Sequence, residues 1–89
     1  MTELKYDEFV WIDTSGEGTG SMRLRFGTSH DDPMPFILTV TPSYVAHKAQ
    51  KTLPLNITEV QNYCENNREA LRKIAFNCKQ RGKNTEVLS

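Results

Sequence analysis

The pair Thr41 and Pro42 divides the chain into two parts with different apolar spacing. Before it, apolar and polar residues alternate, which is typical of strands. After it, apolar residues recur at intervals of three and four, which is typical of helices that bury one side. Threonine is common at the N-cap of a helix, and proline is common at the first helical position. This pair therefore predicts the start of a helix. The order predicts an α+β domain in which helices cover a small sheet.

Three strands are predicted, at about residues 6–12, 21–27 and 36–41. The second is the clearest, because Met22, Leu24 and Phe26 alternate with polar residues. Several glycines within residues 13–20 predict a loose hairpin loop, and the two prolines within residues 27–35 predict another loop. We expect the strands to form a three-stranded antiparallel β-meander, to which the tail of the chain could add a strand.

Helices are predicted at about residues 42–51, 58–66 and 67–81, with a frayed tail at 83–89. Thr58 is the expected cap of the second helix. Asn66, followed three residues later by Glu69, resembles a capping box and predicts a break before the third helix, which Gly82 should end. Two to three α-helices packed on one face of the sheet complete one domain, residues 1–89. A sheet this small has an open edge, so self-association, with a homodimer as its simplest form, is expected.

Charge is segregated along the chain although the formal net charge is zero. Residues 1–35 hold three basic and seven acidic residues, whereas residues 36–89 hold eight basic and four acidic ones. These two parts therefore carry −4 and +4. This balance argues against strong general affinity for nucleic acid, which usually needs a net basic domain, and favours pairing within or between copies.

Cys64 and Cys78 are the only cysteines. On one continuous helix they would lie roughly 21 Å apart, beyond the ~7 Å Cα separation that a disulfide allows. Free, buried thiols are therefore expected. No apolar run approaches the ~20 residues that cross a bilayer, and the N-terminal residues do not resemble a signal peptide. We expect a cytoplasmic protein with no membrane partner.

The third helix carries the main candidate for a binding surface. At 100° per residue, its basic residues fall within a sector of roughly 60°, with one aromatic residue nearby. We call this set the α3 stripe: Arg68, Arg72, Phe76, Lys79 and Lys83. Three interpretations remain open, namely a solvated helix face, a contact with an acidic protein partner and a contact with nucleic acid.

Other candidate sites have weaker support. The glycines at 16, 18 and 20 lack the lysine and the helix of a phosphate-binding loop. Adjacent residues such as His30, Asp31 and Asp32 point in different directions, and a turn in which aspartate accepts backbone hydrogen bonds is expected instead. Trp11 and Tyr6 are expected to pack in the core or at the sheet edge. We expect no catalytic residues, no cofactor and no metal.

The end of the chain resembles a family of short bacterial proteins of unknown function. The residues that carry the resemblance are Glu65 to Arg68, the helix from Ala70 to Lys79, and Arg81 with Gly82. The resemblance implies the strand and helix order described above but no activity.

The leading hypothesis is a small non-catalytic interaction or regulatory module that contacts a protein partner or a second copy of itself. The alternative is a nucleic-acid-binding accessory protein that uses the α3 stripe. An enzyme is the weakest hypothesis.

Overall fold

The structure, a computed structural model, describes residues 4–12 and 20–89, and the side chains of residues 4–7 and 20–89. Its elements in chain order are β1 (Tyr6–Ile12), β2 (Ser21–Gly27), β3 (Phe36–Val40), α1 (Pro42–Ala49), α2 (Ile57–Asn66), α3 (Arg68–Gln80) and β4 (Thr85–Leu88). Most of the predicted glycine-rich loop and the side chain of Trp11 lie outside the described residues.

The α+β class is confirmed, but the sheet differs from the predicted meander. Its order is β1-β2-β3-β4, with the first three strands antiparallel and β4 parallel to β3. The sheet is therefore four-stranded and mixed, and the residues predicted to form a frayed tail supply the fourth strand. A parallel neighbour requires a long crossover connection, which the three helices between β3 and β4 provide.

Alternation in β2 and β3 decides which face of the sheet is covered. Met22, Leu24 and Phe26 of β2 are buried, as are Phe36, Leu38 and Val40 of β3. They form one cluster with buried residues of all three helices, so the helices share a face of the sheet. On the other face, Arg23 and Val87 are exposed, and Arg25, Ile37 and Thr39 are half-buried.

The helix ends are formed partly by the residues that the sequence indicated. The Thr41 hydroxyl accepts a hydrogen bond from the Tyr44 N–H at 3.3 Å, which caps α1 as predicted. Asn56, not Thr58, caps α2, and its side chain and that of Glu59 form a reciprocal capping box. The capping box predicted between Asn66 and Glu69 does not cap α3. The chain breaks at Asn67, whose side-chain amide donates to the Tyr63 carbonyl at 2.9 Å.

Helix α3 crosses the sheet from β1 to β4. Near its start, Arg72 contacts Asp7 of β1, and near its end, Lys79 contacts the carbonyl of Met34, which lies just before β3. Gly82, with a φ of 82°, then turns the chain beside β3 in the conformation that glycine accepts most readily. This path brings the chain back to the starting end of β3, and so β4 runs parallel to it. Within the described part of the chain, no helix is both long and apolar enough to cross a membrane.

Candidate interaction surface

Arg72, at the centre of the α3 stripe, is held against β1. Its guanidinium donates to an Asp7 carboxylate oxygen at 3.1 Å and to the Leu4 carbonyl at 3.3 Å. It also lies over the ring of Phe26, 5.9 Å from the ring centre. The Asp7 and Arg72 side chains are only 13% and 21% exposed. Arg72 therefore links the last helix to the first strand.

Arg68 contacts the same carboxylate one helical turn earlier. Its Nε lies 3.2 Å from the Asp7 oxygen that Arg72 also contacts, although the Arg68 side chain is about half exposed. The mostly buried carboxylate of Asp7 thus faces two cations of the stripe. An acidic residue of the first part of the chain thus pairs with basic residues of the last part, as the charge segregation suggested.

Phe76 lies between the two ends of the stripe. Its ring is half-buried and packs against the core cluster, which includes Leu55 of the connection between α1 and α2. The residue therefore contributes to the packing of α3 on the sheet. Its participation in partner binding stays a prediction.

Lys79 and Lys83 lie at the other end of the stripe, near the start of β4. The Lys79 ammonium donates to the Met34 carbonyl at 3.0 Å, and that of Lys83 donates to a Glu86 carboxylate oxygen at 2.9 Å. Because α3 ends at Gln80, Lys83 belongs to the connection that leads into β4 and not to the helix itself. The structure thus spreads the stripe from β1 to β4, and each of its four cations contacts an oxygen of its own chain.

The backbone of β4 forms one edge of the sheet. The carbonyls of Asn84 and Leu88 accept hydrogen bonds from the N–H groups of Ile37 and Thr41. Backbone direction alternates along a strand, so Glu86 also faces β3, while Thr85 and Val87 direct their N–H and C=O groups outward. No described strand lies beyond β4. These outward groups are a template on which another strand can pair.

One exposed apolar side chain belongs to this edge. Val87 is 57% exposed, whereas Met34, which is 65% exposed, precedes β3 and lies beside the end of α3. Sheet edges are commonly protected from pairing by charges, prolines or bulges. In β4 the only charged residue is Glu86, which Lys83 neutralises, and its position opposite Leu38 puts it on the helix-covered face. The outer edge of β4 is thus apolar and uncharged at its centre.

The opposite face of the sheet holds a small aromatic and cationic group near its β1 side. Tyr6 packs edge-on against His30, and its hydroxyl lies 2.8 Å from the His30 Nδ1. The Arg25 guanidinium lies over the Tyr6 ring and donates to the Asp32 carbonyl at 2.7 Å. These contacts hold the loop between β2 and β3 onto the sheet.

Asp32 stabilises that loop in the way the sequence predicted. Its carboxylate accepts hydrogen bonds from the N–H groups of Thr28 and Met34, at 2.8 and 2.9 Å. These bonds, that from Thr28 first, lower the pKa of Asp32 below its usual 3.8 because they favour the ionised form. Among the described side chains, those of residues 4–7 and 20–89, no three acidic, histidine or cysteine residues form a group suited to a metal ion.

A groove between α1 and α2 is another candidate surface. It is lined by residues that include Val45, Lys51, Glu59 and Tyr63. Lys51 and Glu59 form an ion pair at 3.2 Å. The pKa of Glu59 is lowered, chiefly because its carboxylate accepts a hydrogen bond from the Asn56 backbone N–H and next because Lys51 binds it. Its charged groups thus pair with each other, and β4 remains the stronger candidate surface.

Both cysteines are free and buried, as predicted. Burial raises the pKa of Cys64 to about 12, because the thiolate would lose its solvation. A nucleophilic cysteine needs the opposite environment, one that is electropositive and partly open.

Cys64 is therefore expected to resist alkylation in the folded protein. At pH 8 its thiolate fraction is expected to be about a thousandfold below that of an ordinary thiol, so iodoacetamide should label it far more slowly than it labels the unfolded chain. Peptide mass spectrometry would measure the rate. The exposed variant Ser43→Cys is the control, and equal labelling of the two sites would contradict the prediction.

Sequence reasoning missed Asp7 and Val87. Asp7 meets the α3 stripe through a contact between residues 65 positions apart, for which the charge segregation was only a general signal. The alternation of Thr85 to Leu88 is a strand signal, but four residues are too few to identify a strand with certainty. The exposure of Val87 follows only once β4 is placed at the edge.

Comparison with known proteins found no match to a protein-family model, a curated protein sequence or a solved structure. The resemblance of residues 65–82 to a bacterial family is therefore left without support from these comparisons.

Proposed function

We propose that this protein is a small non-catalytic module that acts through contacts with polypeptides, and that β4 is its contact edge. The observation that carries the proposal is the outward backbone of Thr85 and Val87, with the exposed Val87 side chain between groups ready to pair. Lys79 and Lys83 would border a polypeptide bound there. The expected setting is the cytoplasm, as the free cysteines suggest.

Binding of nucleic acid through the α3 stripe is the competing proposal, and the internal contacts of the stripe weigh against it. Arg68 and Arg72 face Asp7, and Lys83 faces Glu86. A phosphate would have to displace these carboxylates before it could pair with the arginines or with Lys83. Little counterion release is then expected on binding to DNA.

Retention on immobilised DNA tests this difference. We expect weak retention that is lost between about 50 and 200 mM salt, with a slope of log affinity against log salt of about −1 or shallower. Lys79→Glu and its matched control Lys73→Glu, also on α3, should elute alike. A slope of several units that Lys79→Glu reduces and Lys73→Glu does not would overturn the proposed protein-binding function in favour of nucleic acid.

A further inference from the structure

We infer that the partner of the β4 edge is the β4 strand of a second copy, so that two four-stranded sheets join into one continuous eight-stranded sheet. This inference deepens the proposed function, on which it rests, by naming the partner. It depends on three features of β4: the direction of its backbone groups, the register that its side chains allow and the area available beside it.

The outward backbone groups limit the possible pairing. Two identical strands related by a two-fold axis pair antiparallel, and facing residues that both point outward exchange two hydrogen bonds. Because Thr85 and Val87 point outward, the axis can pass through either of them or through Glu86 between them. These three registers differ in what they bring together.

Charge and hydrogen-bond availability favour the axis at Val87. An axis at Glu86 would place two glutamates directly opposite each other, which destabilises a strand pair. An axis at Thr85 would place Val87 opposite Lys83 of the second copy, but the Lys83 N–H already donates to the Cys78 carbonyl at 3.1 Å. The axis at Val87 pairs the two valines on the open face and places Glu86 opposite Leu88.

This register is self-complementary along its whole length. Thr85 lies opposite Ser89, and no like charges meet. The Glu86 carboxylate remains paired with Lys83 of its own chain at 2.9 Å, so a dimer leaves no uncompensated charge at the seam. Val87 is the most exposed apolar side chain of β4, and at the axis the two copies of it partly cover each other.

The short strand sets the strength of the association. Four or five paired residues per chain bury less than the ~800 Å² per partner of a standard stable interface. We expect a reversible dimer with a dissociation constant of about 10 μM to 1 mM. Self-association at this strength depends on protein concentration, which makes it measurable.

Analytical ultracentrifugation of the purified chain from about 10 μM to 1 mM tests the inference. Wild type should shift from monomer towards dimer, and Val87→Lys should raise the dissociation constant at least about tenfold, because two lysines would face each other at the axis. Leu53→Lys is the matched control, since Leu53 is also an exposed aliphatic residue, at 48%, but lies between α1 and α2. It should dimerise like wild type.

Amide hydrogen exchange of the wild-type protein provides a measurement that needs no variant. The N–H groups of Glu86 and Leu88 face β3 and should be protected at every concentration, whereas those of Thr85 and Val87 should gain protection only as the dimer forms. A monomer throughout this range, or protection at Val87 that does not change with concentration, would overturn the inference.

The two proposals fail in different ways. A strictly monomeric chain that binds another polypeptide, and loses it with Val87→Lys, would overturn self-pairing and leave the proposed function standing. Stripe-dependent retention on DNA would overturn the proposed function whatever the oligomeric state. If Leu53→Lys weakens the dimer as much as Val87→Lys does, the seam lies elsewhere and the inference is wrong.

Discussion

Truncating Phe26 to alanine is expected to lower the free energy of unfolding by about 3–5 kcal/mol. The ring is fully buried in β2, faces Phe36 across the strand pair and underlies the Arg72 guanidinium. Its loss would leave a cavity where β1, β2 and α3 meet. Since small domains are typically stable by about 5–15 kcal/mol, the variant should lose a large part of its stability. Urea denaturation followed by circular dichroism would measure the change.

Met34→Ala is the control for this substitution. Met34 is a large apolar residue, but most of its side chain is in solvent, so its truncation should change the stability by less than about 0.5 kcal/mol. Similar losses for the two variants, or a loss below about 1 kcal/mol for Phe26→Ala, would contradict the placement of Phe26 in the core.

Replacing Asp7 by asparagine is expected to lower the free energy of unfolding by about 1–3 kcal/mol. Asparagine keeps the shape of the side chain but removes the charge that faces Arg68 and Arg72. The penalty should come mainly from Arg72, because its guanidinium is the less exposed of the two and would keep only the exposed carboxylate of Glu69, at 3.6 Å. A double-mutant cycle of Asp7→Asn with Arg72→Met should show a coupling of about 1–2 kcal/mol, measured by urea denaturation.

The exposed pair of Lys83 and Glu86 is the matched control for that cycle. Its side chains are 47% and 32% exposed, so solvent screens their attraction more than it screens that of Asp7 and Arg72. Lys83→Met and Glu86→Gln should therefore show a coupling of only about 0–0.5 kcal/mol. A larger coupling here than for Asp7 and Arg72 would mean that the contact between α3 and β1 does not hold the helix in place.

The link through Asp7 also bears on function. A row of cations on a helix can bind an acidic partner. Here Asp7 of β1 already pairs with two of these cations, Arg68 and Arg72. The contact that we propose instead uses backbone groups and the Val87 side chain at β4. This is the reason for placing the proposed contact at a sheet edge instead of at a charged helix face.

Several elements could be predicted because their signals are local. Alternation in β2 and β3 identifies strands and the residues they bury, and the Thr41 cap identifies the start of α1. The burial of Cys64 and Cys78 follows from apolar spacing along the helices. Predictions at helix junctions were weaker, because Asn56, Thr58, Asn66 and Asn67 are all acceptable near helix ends and tertiary contacts decide among them.

The candidate site could not be predicted in the same way. Sequence spacing located the α3 stripe, but it could not reveal that Asp7, far away in the chain, would lie against Arg68 and Arg72. Nor could it place Val87 at an open edge, since that position depends on where β4 joins the sheet.

By itself, the sequence determined that this protein combines strands and helices, which residues of its clearest strands and helices face the core, and that its acidic and basic residues are segregated along the chain. Only the tertiary structure decided that α3 crosses the sheet, that Asp7 binds the arginines of that helix and that the tail becomes an edge strand parallel to β3. The physical reason is that strand and helix patterns depend on neighbouring residues, whereas sheet order and ion pairing depend on which distant segments the packed core brings together.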